Sequence, residues 1–203
     1  MRVLKSPCFD SFEVKGSKFL CYFEPLKDGE NVRVRQEELR REHPKCVHVV
    51  YASRVLNEYF QIVENQSDDG EPKGSSGAPA LNVLRGADIV NAVCYIVRYF
   101  GGTLLGVGGL VRAYSNSVNI AIEKANNCNL LLDYIKKEKY ELSVDYSLER
   151  KLSYILDNLS VEYAKDFSDI VIFKILLCDD ELKEVQKSLT DMGLVLKTAD
   201  FYL

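Results

Sequence analysis

The chain has no apolar run long enough to cross a bilayer. Its longest, Ala92 to Val97, falls far short of the roughly 20 residues a spanning helix needs. The first residues, Met1-Arg-Val-Leu-Lys-Ser-Pro, lack the apolar core of a signal peptide, so a cytoplasmic protein without membrane contact is expected. Six cysteines lie far apart with no C-x-x-C pair; neither a zinc site nor a secreted disulfide framework is indicated, and reduced thiols fit best. No metal and no cofactor is expected. There are two histidines and no nucleophile elbow, so nothing resembles a Ser-His-Asp set. From Leu110 to Met192 there is no glycine at all.

Glycine is concentrated instead. Nine of twelve fall between Gly70 and Gly109, eight of them in two blocks: Ser67-Asp-Asp-Gly-Glu-Pro-Lys-Gly-Ser-Ser-Gly-Ala-Pro79, and Val97-Arg-Tyr-Phe-Gly-Gly-Thr-Leu-Leu-Gly-Val-Gly-Gly-Leu-Val-Arg-Ala-Tyr-Ser115. Because glycine costs backbone entropy, such clustering is expected where φ must be positive or a backbone must approach something closely. The 203 residues are 47% hydrophobic, enough for a substantial core in one or two domains. Charge is uneven: residues 1–130 carry 16 Lys and Arg against 15 Asp and Glu, and residues 131–203 carry 10 against 15. The acidic second part argues against wrapping a phosphate backbone, which requires Lys and Arg, and leaves a local patch on the first part.

Phe9–Val14 and Phe19–Phe23 read as strands of a hairpin turning at Lys15-Gly-Ser-Lys. The charged segment from about Asn31 to Glu42 is helix-compatible and stops at His43-Pro44. Strands are expected near Cys46–Ala52 and Tyr59–Val63, a short helix from Pro79 through Leu84, and a central strand over Ala92–Phe100. Gly108 and Gly109 open a long helix with Leu110, Tyr114, Val118, Ala121 and Ala125 on one face. Asn126-Asn-Cys-Asn129 marks the boundary. Beyond it come strand Tyr140–Tyr146, helix Leu148–Leu156, strand Val161–Tyr163, strand Ile170–Leu177, helix Glu181–Met192 and strand Val195–Phe201. That βαββαβ order is the ferredoxin-like unit, a scaffold that assigns no role by itself.

Val93–Ser115 reads as strand, glycine-rich turn, helix. Backbone N–H groups in such a turn cradle anions, with Arg98 and Arg112 as counter-charges able to hold two oxygens each. The known phosphate signatures fail: Val107-Gly108 stand where a Walker loop needs Lys and Ser/Thr, and Val111 takes the third glycine position of a dinucleotide fingerprint. Tight helix-on-sheet packing is the alternative explanation of the turn. Asp68, Asp69 and Glu71 could share a proton, act as acid and base, pair with Arg98 or Arg112, or form only a solvated turn. Cys46 and His48 are two apart in a strand and would share a face, as a nucleophilic pair or, with no third orienting group, with His48 as packed core. His43 is expected to be exposed. Tyr95, Tyr99, Phe100 and Tyr114 either stack nucleobases or pack the core.

The two blocks resemble the IMPACT/YigZ family, whose pattern runs S-D-D-G-E-P-x-G-x-x-G-x-P and then V-R-Y-[FY]-G-G-x-x-L-G-x-G-G-L-V-[KR]-A-Y. Both are present nearly intact as Ser67–Pro79 and Val97–Tyr114. Where that family often carries His-His-Cys in the preceding strand, this chain has His48-Val49-Val50. The resemblance implies an α+β protein of two domains. Residues 1–130 would form a βα sandwich like the second domain of a small-subunit ribosomal protein. Residues 137–203 would form a ferredoxin-like βαββαβ domain similar to the C-terminal domain of elongation factor G.

It also implies a binding protein linked to regulation of translation, with RNA or the ribosome as expected partner of the first domain; from its charge, the acidic second domain is expected to offer a surface to a protein partner. The ligand site is expected at Asp68, Asp69, Glu71, Arg98, Tyr99, Gly101, Gly102, Gly106, Gly108, Gly109, Arg112 and Ser115. The alternative is an enzyme on a small anionic or phosphorylated substrate, with Asp68 or Asp69 as base. No catalytic residue is assigned.

Overall fold

In the computed structural model, which describes residues 1–190 and 192–199, a short strand β1 (Arg2–Leu4) leads into a hairpin of β2 (Cys8–Val14) and β3 (Ser17–Pro25). Lys15 and Gly16, at φ of 46° and 77°, make the two-residue turn between the paired Val14 and Ser17. Positive φ at both positions matches the right-handed twist of the flanking strands. Helix α1 (Val32–Glu42) follows, capped by the Asn31 side chain, which accepts from the Arg33 N–H. Then come β4 (His48–Leu56), β5 (Ile62–Ser67), α2 (Gly77–Gly86), β6 (Ala92–Tyr99), α3 (Val107–Asn127) and β7 (Leu131–Asp133).

Five of these strands form an antiparallel sheet in the order β2-β3-β6-β4-β5. Strand β6 lies at its centre, and its side chains alternate between two separate cores. Ala92, Cys94 and Ile96 join Phe19, Phe23, Val50 and Ala52 beneath α2 and α3. Val93, Tyr95 and Val97 join Leu39, Val49 and Tyr51 beneath α1. With helices on both faces the central strand has no solvent side, which is why it reads as an unbroken apolar run. Leu84 and Tyr114 are wholly buried, and burying a side chain of that size stabilises by about 1.5–3 kcal/mol. Strands β1 and β7 pair with each other, and Arg2 of β1 also bridges to Ile89; at three residues each the two strands carry no periodic signal, and the sequence pattern shows neither.

The chain divides between Tyr134 and Ile135. In the second unit β8 (Glu138–Val144), α4 (Tyr146–Asn158), β9 (Glu162–Phe167), β10 (Val171–Leu177), α5 (Asp179–Thr190) and β11 (Lys197–Thr198) give a sheet ordered β11-β8-β10-β9. That is the ferredoxin-like arrangement. Val171, Phe173, Ile175 and Leu177 of β10 alternate into a core with Leu152 and Leu156 of α4 and Val185 and Leu189 of α5. Asp179, Asp180 and Glu181 occupy the first turn of α5, where negative charge complements the helix dipole. The expected last strand, Val195–Phe201, shortens to β11, and its final two residues lie outside the described ones.

Candidate functional site

Sheet register assembles the site. Pairing of β4 with β6 sets His48 opposite Arg98, and pairing of β3 with β6 sets Phe19 on the other side of Arg98. Arg98 therefore lies between a ring and an imidazole on the face that carries α2 and α3, its guanidinium 5.6 Å from the Phe19 ring centroid. Onto this row the loop after β5 brings Glu71, and α3 brings Tyr114. Arg98 Nη1 donates to Glu71 Oε1 at 2.6 Å, and the Tyr114 hydroxyl donates to the same oxygen at 2.7 Å. The pair is deeply buried, with Arg98 and Glu71 side chains 6% and 3% exposed. Burial, and then the Glu71 carboxylate, push the Tyr114 phenol far up, so it stays a neutral donor. Arg98 Nε is the one buried side-chain nitrogen or oxygen without a hydrogen-bond partner among the described residues.

Beside this pair opens a cleft of about 400 Å³, within the usual range for ligand sites. His48, Glu71 and Arg98 line it, together with Gly106 and the apolar side chains of Val47, Phe100, Leu104 and Val107. Those four are exposed, Leu104 to 82%, so the mouth is apolar while the charges inside are already paired. Single exposed apolar residues are ordinary; here four surround one opening. Helix α3 starts here at Gly106, at φ 69°, and no side chain caps it.

The two neighbouring aspartates are occupied. Asp68 accepts from the N–H groups of Gly74, Ser76 and Gly77 and from the Ser76 hydroxyl. Burial acts to raise its carboxyl, but these donors outweigh it and hold the group below the usual value. Asp69, at φ 48°, binds Arg40 through its carboxylate and accepts from the Val49 N–H. Its backbone carbonyl accepts from His48 Nδ1 at 2.8 Å. Neither carboxylate is free to serve as a base.

Of the other residues expected at the site, Tyr99 lies on the opposite face of the sheet, since successive strand residues alternate; its hydroxyl is 2.8 Å from His43 Nδ1. Gly101 packs against the β2–β3 turn, where a Cβ would come within 1.8 Å of the Gly16 carbonyl carbon. Gly102, at φ 84°, sits in the exposed loop. Gly109 and Arg112 line a second hollow with Phe12, Val14 and Asn116. Gly108 is exposed in the first turn of α3, and Ser115 is half-buried farther along it.

The structure corrects the sequence reading at both histidines. His43 is half-buried, its ring nitrogens 2.8 Å from the hydroxyls of Tyr22 and Tyr99. Cys46 precedes the start of β4, so strand alternation does not govern it. It packs against the α1-side core, while His48 is neither its partner nor core but part of the cleft wall. Burial also pushes the Cys46 thiol up, away from nucleophilic chemistry. Tyr95 is core, donating to the Val32 carbonyl. Among the described residues no group of three or more His, Cys, Asp or Glu is placed to hold a metal ion, and no helix is long and apolar enough to cross a membrane.

Comparison with known proteins gives the lineage of this arrangement. The family described as Impact N-terminal domain matches residues 15–122, which contain the whole cleft. An IMPACT family member of Haemophilus influenzae is 34% identical over 162 residues, covering 79% of this chain and 76% of that protein. The IMPACT family member YigZ of Escherichia coli is 37% identical over 114 residues, 55% of each. A crystal structure described as that of a hypothetical protein superposes over 99% of this chain and 98% of its own, with a TM-score of 0.75 and 26% identity.

Proposed function

The chain belongs to the IMPACT family, and from that premise we propose that it is a translation-linked protein of the cytoplasm that binds single-stranded RNA at the first-unit cleft. The observation that carries this reading is the make-up of the cleft: an exposed aromatic and apolar mouth, Phe100 with Leu104 and Val107, over charges that are already paired. Such a mouth suits bases splayed out of a single strand, which stack on aromatic faces and present their edges to polar groups. The backbone N–H groups at the uncapped start of α3 and the exposed Arg112 are suited to the adjoining phosphates. Membership of the IMPACT family supports the link to translation that the sequence resemblance implies, and six free thiols suit a reducing compartment.

The rival reading, an enzyme on a small anionic substrate, has less support. Asp68 and Asp69 are both tied down, so neither is free to act as the base that reading needs.

Fluorescence anisotropy of a labelled, mixed-sequence single-stranded RNA tests the reading, with wild type and Phe100→Ala compared at two salt concentrations. Wild type is expected to bind and to weaken with salt, and the variant to lose about 1–3 kcal/mol of binding, the worth of one base–aromatic stack. Absence of wild-type binding at low salt refutes it.

A further inference from the structure

We propose that the cleft selects a nucleobase carrying an exocyclic amino group, cytosine over uracil; this rests on the reading of the cleft as a single-stranded RNA site. The Asp69 backbone carbonyl can only accept, so its 2.8 Å contact fixes a hydrogen on His48 Nδ1. In the neutral ring Nε2 then carries a lone pair and no hydrogen. Facing it at 3.8 Å stands Glu71 Oε2, beyond hydrogen-bond reach. Oε1 of that carboxylate takes both the Arg98 and the Tyr114 donors, and among the described residues no hydrogen bond falls on Oε2. Two acceptors therefore confront one another across the gap, one on a side chain 3% exposed and the other on one 22% exposed.

Neither is a buried orphan, a description that among the described residues fits Arg98 Nε alone; both are open to the cleft, which His48 and Glu71 line, and are free to accept from a ligand donor. A nitrogen bearing two hydrogens serves both at once, a hydroxyl serves only one, and a carbonyl or phosphate oxygen is repelled by each. The surroundings narrow the class further. Phe100, 47% exposed, offers a flat aromatic surface at the mouth, which a base can cover and an aliphatic ammonium cannot. The Arg98 guanidinium, 5.9 Å from the Phe100 ring centroid, is paired with Glu71 Oε1, so the charge of the cleft is already balanced and a neutral amino group adds none. Cytosine and uracil differ at this edge by an amino donor against a carbonyl acceptor, and both are pyrimidines, so stacking on Phe100 changes little between them.

The experiment is anisotropy at low salt with labelled cytidine and uridine decamers, on wild type and on His48→Ala checked for folding by circular dichroism. Wild type is expected to bind the cytidine decamer about tenfold or more tightly than the uridine decamer, the worth of a hydrogen bond to a charged or buried acceptor. In His48→Ala that ratio is expected to collapse toward one. On wild type alone, a decamer of N4-dimethylcytidine, which lacks both amino hydrogens, is expected to bind no better than the uridine decamer, and this arm stands even where the histidine variant does not fold. Equal affinity of wild type for cytidine and uridine overturns the selectivity and leaves RNA binding intact. A preference that survives in His48→Ala, or in the dimethylated decamer, also overturns it. Binding of neither decamer removes the RNA reading and the selectivity together, and competition by an amine-bearing peptide in that case would reassign the cleft to a protein partner.

Discussion

Replacing Glu71 by alanine should destabilise the first unit more than any other single change at the cleft. Its carboxylate accepts from Arg98 and Tyr114 on one oxygen, and both charged side chains are nearly excluded from water. Breaking a buried pair by removing one partner costs about 3–5 kcal/mol, because the surviving charge has nothing to offset its desolvation. Here the survivor is worse placed than usual: Arg98 Nε already lacks a partner, and the Tyr114 hydroxyl is orphaned as well. A loss of about 4 kcal/mol is a large part of the roughly 5–15 kcal/mol that holds a domain folded. With a urea slope of about 2 kcal/mol/M, the midpoint of the first unit should fall by about 2 M. Circular dichroism follows this transition, and unfolding of the second unit serves as a control that should not move. Replacing both residues with apolar side chains, Glu71→Leu with Arg98→Met, should cost clearly less than the two single changes added, since no charge is stranded. A midpoint shift in Glu71→Ala below about 0.5 M, or strict additivity in the double variant, refutes the reasoning.

Other consequences are smaller or more specific. Gly101→Ala puts a Cβ within 1.8 Å of the Gly16 backbone; the hairpin must yield, and a cost of about 2–3 kcal/mol should appear in urea unfolding. Asp68 has its folded-state carboxyl held below the ordinary value, so its stabilisation is complete above the unfolded value near 4 and disappears as pH falls through the folded one. The stability gap between wild type and Asp68→Asn should therefore close below about pH 4, as acid titrations of the urea midpoint would read. Arg40→Ala breaks a half-exposed ion pair and should change stability by less than about 1 kcal/mol. It also loosens Asp69, whose carbonyl orients His48, so the preference for cytidine over uridine should narrow in the same anisotropy assay.

Much of the fold was legible because its signals are local. The turn residues Lys15 and Gly16, the asparagine before α1, the unbroken apolar run of β6 and the glycine-rich opening of α3 each act within a few residues of themselves. Strand β5 begins later than its sequence pattern suggests, because Tyr59 and Phe60 look like strand residues but belong to the turn, with Phe60 at φ 59°. The site was less legible, since its logic is non-local. His48 and Arg98 are 50 positions apart in the chain and become neighbours only through the β4–β6 register. The same alternation that points Arg98 into the cleft points Tyr99 away from it, so adjacent motif residues part company. Asp68 and Glu71 look alike in sequence; one meets the backbone leading into α2 and the other a buried arginine. Nothing short of the packed loop distinguishes them.

The central claim, that the first-unit cleft holds single-stranded RNA, is tested most directly by photo-crosslinking a cytidine-rich decamer carrying one 4-thiouridine and locating the attachment by mass spectrometry. The account predicts crosslinks at Phe100, His48 or the Leu104–Val107 segment, lost in Phe100→Ala and competed by unlabelled cytidine decamer. Crosslinks confined to residues 135–203, or no crosslink at low salt, would contradict it.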